Sequence, residues 1–101
     1  MIATRRVSLT DDKSTTQKII IKLGRPKRMP GTSDYYCPYQ ISGIGSEKIK
    51  YAAGIDAVQA IQLAMGRIGT DLWALNQECD GKLRWEGDEH GDLGFPTPHG
   101  T

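Results

Sequence analysis

Histidine is nearly missing from this chain, and the two that occur, His90 and His99, stand close to the carboxyl terminus. Nucleophilic catalysis needs a Ser, Thr or Cys held beside a positioned base. Neither imidazole falls in a patterned segment, so no such constellation is legible and the reading leans against an enzyme. Cysteine is as scarce: Cys37 and Cys79 are the only two. They have the option of pairing, but without an export signal free thiols are the expectation, and Cys37 lies on an apolar strand face where a thiol is usually inert. No run of about 18 apolar residues occurs, and the opening MIATRRVSLT lacks the apolar stretch of a secretion signal. No membrane partner is expected, and a cytoplasmic location is. Aromatic residues make up only 7% of the chain, with a single Phe, so a core has to rest mainly on aliphatic side chains.

What is present is enough for one folded unit. Chains of this length, 101 residues with 38% hydrophobic and 25% charged side chains, bury a single core and fall outside the composition of disordered segments. The expected division is one domain over 1–96 and a disordered tail over 97–101. Net charge is only +1, but its layout is uneven. Residues 1–53 hold ten Lys/Arg against four Asp/Glu, and residues 54–101 hold three against eight. Such bipolarity fits two surfaces for two partners, or two halves that attract each other within one fold.

The longest periodic stretch is Gly54 to Cys79. Val58, Ile61, Met65, Ile68, Leu72 and Leu75 recur at helical spacing and predict one buried stripe. Ala57, Ala60 and Ala64 flank that stripe and permit close approach to a sheet. Asp56 is placed to cap the first turn, with Gln59 three residues on to reach back. From Asp56 to Asn76 the helix would rise about 30 Å. Gly66 and Gly69 weaken its interior, for close packing or for a kink near Gly69.

Before the helix, four segments alternate apolar and polar residues, each with the apolar set at odd positions: Ala3, Val7, Leu9; Ile19, Ile21, Leu23; Tyr35, Cys37, Tyr39, Ile41; and Ile49, Tyr51, Ala53. Period two marks half-buried strands, and the intervening DDKST, GRPKRMPGTS and GIGS suit turns and a longer loop. The expected fold is therefore α+β: a four-stranded antiparallel meander followed by one long helix across its odd-residue face. Pro38 lacks a backbone donor, which predicts an edge or a bulge in the third strand. After the helix, Lys82 to Trp85 reads as a short extended piece, and the Gly-, Pro- and acid-rich remainder as an irregular tail pinned by Trp85, Leu93 and Phe95.

The run Ala53-Gly54-Ile55-Asp56-Ala57-Val58-Gln59-Ala60-Ile61, with Ala64, Ile68-Gly69, Leu72, Trp85 and the closing Leu93-Gly94-Phe95-Pro96, resembles a family of small bacterial proteins of unknown function. The match covers the second half of the chain well and the strands loosely. It implies a compact bacterial domain inside the cell, with no catalytic residues to carry over.

Two local motifs fail as chemistry. Gly43-Ile44-Gly45-Ser46-Glu47-Lys48 lacks a third glycine and a following helix, so it reads as a hairpin turn and not as a phosphate loop. Glu86 to Asp92 gathers four carboxylates and His90, but Leu93 occupies a position where a calcium loop turns on glycine. No metal site and no cofactor are expected. The face opposite the helix is more informative. Even positions place Arg6, Lys18, Lys22, Lys48 and Lys50 there, with Tyr36 and Gln40 among them, and the loop tip adds Arg25, Lys27 and Arg28. The expected function is a non-enzymatic protein–protein interaction module, of a regulatory, toxin-neutralising or self-associating kind. The alternative is a nucleic acid or other polyanion bound on that basic face.

Overall fold

The chain folds as α+β. The computed structural model describes residues 2–10, 16–43, 47–78, 83–85 and Phe95. Its elements in order are β1 (Ala3–Thr10), β2 (Thr16–Leu23), β3 (Lys27–Arg28), β4 (Tyr35–Ser42), β5 (Lys50–Gly54), α1 (Ala57–Glu78) and β6 (Leu83–Trp85). β1, β2, β4 and β5 form the expected antiparallel meander, each paired with the next. The short extended piece after the helix becomes β6 and pairs with β1. Thus α1 carries the chain from one edge strand of the sheet, β5, to the other, β6. Of the expected tail anchors, Phe95 packs against the core. Leu93 and the tail 97–101 lie outside the described residues, as do Cys79 and the acidic stretch 86–92.

Pro38 sits in a central strand, contrary to the expected edge or bulge, and the register explains how. β5 covers one side of β4 from Tyr35 to Tyr39. On the other side β2 pairs with Tyr39 to Ser42 and β3 with Tyr35 and Tyr36, leaving Pro38 opposite the break between them. Its missing N–H therefore falls where no strand would accept it, while its carbonyl accepts from Gly24 N at 2.7 Å. A Cβ on Gly24 would stand 2.6 Å from the proline ring, so this crossing requires glycine. β3 lies in the stretch read from sequence as turn, and its hairpin to β4 is closed by Met29 N donating to Asp34 O at 2.8 Å.

The core consists of Val7, Ile19, Ile21, Cys37, Tyr39, Ile41 and Ala52 from the sheet with Ala60, Ala64, Ile68 and Leu72 from the helix. Odd positions of β1, β2 and β4 face the helix as expected. β5 does the reverse. Cys37 stands opposite Ala52 and Tyr35 opposite Gly54, and facing residues of paired strands share a side, so the even residues of β5 point inward. Ile49 is 66% and Tyr51 58% exposed. The cause is the closeness of the helix: a Cβ on Gly54 would lie 2.6 Å from Ala60 N. Ala52 and Gly54 are small enough to lie under the helix start, and the apolar bulk of Tyr51 goes to the other side.

The helix is rotated for the same reason. Its buried line is Ala60, Ala64, Ile68 and Leu72, with Gly69 beside it; Val58, expected in the stripe, is 64% exposed. Its start is capped as expected, Asp56 Oδ1 accepting from Gln59 N at 2.8 Å, although Gln59 Oε1 reaches one residue further back, accepting from Ile55 N at 2.8 Å. It runs unbroken through Gly66 and Gly69.

Candidate functional site

The sheet face away from α1 has two ends of different character. At the β5 end, register places Tyr36 opposite Ala53 and Pro38 opposite Tyr51. The Tyr36 and Tyr51 rings meet edge to face, centroids 5.9 Å apart and planes at 73°, a favoured aromatic geometry. Tyr51 is exposed on this face and Ala53 continues its row, while Ile49, just before β5, is exposed as well. Lys27 stands opposite Tyr36 and borders the patch. The row runs along an edge strand, because among the described residues β5 pairs with β4 alone.

At the β1–β2 end the face is basic. Arg6 stands opposite Ile20, Ser8 opposite Lys18 and Thr4 opposite Lys22, with Lys22 also opposite Gln40. Arg6, Val7, Ser8, Thr16, Lys18 and Ile20 line a groove of about 530 Å³.

The sequence-predicted residues separate on this frame. Arg6, Lys18, Lys22, Lys27 and Tyr36 share the open face. Lys50 does not: it stands opposite Tyr39 on the helix side, and its ammonium pairs with Asp71 Oδ2 at 3.2 Å. The inverted parity of β5 is again the reason. Arg28 stands opposite Tyr35 and so also belongs to the helix side. Arg25 is exposed in the break between β2 and β3, and Lys48 is exposed just before β5. Sequence reasoning missed Tyr51 and Ile49, assigning them to the core. The signal that would have placed them outward is the pair Ala52 and Gly54 at the parity that meets Ala60 and Ala64.

On the helix side, a polar cluster ties α1 to β5. Lys50 and Asp71 form its ion pair, and Arg67 Nη1 donates to Tyr51 O at 3.1 Å. Buried Tyr39 lies beside them. Desolvation pushes its phenol above the ordinary range and the Asp71 carboxylate adds to the rise, while Lys50 and Arg67, the latter also through a hydrogen bond, partly oppose it. Burial likewise raises the free thiol of Cys37, whose Sγ donates to Gly24 O at 3.4 Å. A second cavity of about 220 Å³ lies among Ala3, Arg5, Ile21, Leu23, Met65 and Phe95. There the Arg5 guanidinium stands 5.1 Å from the Phe95 ring centroid, so this gap is a packing seam closed by the incoming Phe95.

Among the described residues, no three His, Cys, Asp or Glu converge to hold a metal, and no helix is long and apolar enough to cross a membrane. Nothing matches the chain among curated proteins or among solved structures. The resemblance carried by the helix and the closing Leu-Gly-Phe-Pro does correspond to a family: the chain belongs to the Domain of unknown function DUF6968, whose sequence profile matches residues 3–97.

Proposed function

We propose that this chain is a non-enzymatic interaction module of a regulatory kind, and that it docks a protein partner on the β5 end of the open face. The observation that carries the reading is the exposed apolar row Tyr51 and Ala53 on an edge strand, with exposed Ile49 just before it and Tyr36 and Pro38 beside it. Apolar side chains gathered on a sheet edge are a liability that isolated proteins avoid and interfaces use. Lys27 beside Tyr36 and the cations further along the face favour a partner whose apolar ridge is flanked by acids. The partner is either a second protein or another copy of this chain, whose own charge is bipolar.

The test combines sedimentation velocity of the purified chain with affinity capture, comparing the wild type with an Ile49→Asp/Tyr51→Ser double variant. Both positions are exposed, so the variant is expected to fold. A dimer or a captured protein present with wild type and lost with the variant supports the reading. A chain that stays monomeric and captures nothing the variant does not capture as well overturns it.

A second reading, single-stranded nucleic acid on the same face, gains from Tyr51 standing beside Tyr36. Two aromatic rings at one end of the face and Arg6, Lys18 and Lys22 at the other supply both stacking and phosphate neutralisation along it. A titration of labelled single strands at low salt checks it. Binding that is absent, or indifferent to loss of the Lys18 and Lys22 charges, removes it.

A further inference from the structure

The groove at the β1–β2 end is separate from the docking row on β5 and has a chemistry of its own. Its open-face lining alternates cation and small or apolar residue: Arg6 opposite Ile20, and Ser8 opposite Lys18. Arg6 and Lys18 therefore occupy diagonal positions, about 7–8 Å apart at the backbone, with half-buried Ile20 and Ser8 between them and Thr16 beyond. Among the described residues no lining residue is acidic, and neither Arg6 nor Lys18 makes an ion pair. Both side chains are long enough to converge on one anion lying between them. The volume of about 530 Å³ falls within the range of small-molecule sites, roughly 300–1,000 Å³, which are mostly apolar with a few polar groups fixing orientation.

We propose that this groove binds a small organic phosphate. The phosphoryl group lies between the Arg6 guanidinium and the Lys18 ammonium, within reach of the Ser8 and Thr16 hydroxyls, and the apolar body of the ligand rests on Ile20. Arg6 supplies the planar donor fork that suits phosphate oxygens, and Lys18 a point charge. The proposal does not depend on the protein-docking reading, since none of its residues belongs to the β5 row.

The experiment is calorimetric titration of the full chain with 1-naphthyl phosphate, inorganic phosphate, 1-naphthol and a (dT)12 strand. Saturable binding of 1-naphthyl phosphate is expected, weaker binding of inorganic phosphate, and none of neutral 1-naphthol. Arg6→Gln and Lys18→Gln are each expected to weaken 1-naphthyl phosphate roughly tenfold, the loss of one charge-assisted hydrogen bond. Arg28→Gln, on the helix side of the sheet, leaves it unchanged. No saturable binding of 1-naphthyl phosphate, or binding that neither Arg6→Gln nor Lys18→Gln alters, overturns the proposal. So does a (dT)12 strand that binds more tightly than 1-naphthyl phosphate and loses affinity on removal of Tyr36 or Tyr51, because the groove is then one stretch of a nucleic-acid path. Both variants replace exposed side chains. An unchanged thermal unfolding midpoint separates lost binding from lost folding.

Discussion

Arg67 on the helix donates its guanidinium N–H to the main-chain carbonyl of Tyr51 at 3.1 Å. The pairing of Pro38 with Tyr51 turns the polar backbone groups of Tyr51 away from β4, toward the free edge. The helix thus occupies one acceptor of an edge strand whose side chains are apolar and exposed. Unpaired edge groups are templates for adding another strand, and a charged side chain laid across one blunts it. Arg67→Ala is expected to cost less than about 1 kcal/mol of stability, because an exposed charge-assisted contact is screened by water. It should also raise self-association. Sedimentation velocity over a concentration series measures this, and an unaltered monomer–oligomer distribution would show that Arg67 does not guard the edge.

Gly54 fixes how closely helix and sheet approach. Its missing Cβ would fall 2.6 Å from Ala60 N and 2.9 Å from the Gln59 carbonyl carbon, and main-chain atoms at a helix start have little room to yield. Gly54→Ala is expected to destabilise by about 1–3 kcal/mol, the range for overpacked sites. Urea unfolding with a preserved m-value would report this directly. A neutral result would mean that the helix rides further from β5 than the geometry indicates.

Gly66 behaves in the opposite way. A Cβ added there meets nothing within 4 Å, and the residue lies in the interior of an unbroken helix. Gly66→Ala is therefore expected to stabilise by about 0.5–1 kcal/mol, through restriction of the unfolded chain and better helix propensity. Thermal unfolding of the two chains side by side checks it.

Most of the fold was legible because the inward side chains of β1, β2 and β4 are large and sit at one parity. Val7, Ile19, Ile21, Tyr39 and Ile41 cannot be exchanged with their polar neighbours without exposing them. β5 was not legible, because size there runs against burial. Ile49 and Tyr51 look like a core face and Ala52 and Gly54 like a surface, and only the tight crossing of the helix reverses the choice. The same inversion moved Lys50 off the basic face and placed Tyr51 on the open one, so the candidate site was half readable: its cations on β1 and β2 followed from alternation, its aromatic row did not. β3 escaped because two residues amid Gly and Pro carry no period, and Pro38 misled because its partner strand, not its own, is interrupted.

Two buried acids make the stability of this fold sensitive to alkali. Burial raises both the Tyr39 phenol and the Cys37 thiol above their ordinary values. A group whose pKa is higher folded than unfolded keeps its proton in the native state while the unfolded chain gives its own up. The stabilisation is then complete below the unfolded pKa and is lost as pH rises through the folded one. For these groups the loss begins above about pH 8.5 for the thiol and about pH 10 for the phenol. The expected outcome is a urea midpoint that is level from pH 7 to 8 and falls progressively toward pH 11. Tyr39→Phe removes the phenol's share, so its midpoint should fall less steeply above pH 10 than that of the wild type. Asp71→Asn should also flatten the curve there, since the Asp71 carboxylate contributes to the rise. It should change stability at neutral pH by less than about 1 kcal/mol, because its ion pair with Lys50 is half exposed. Equal alkaline slopes in all three chains would place the sensitivity elsewhere and remove Tyr39 as its source.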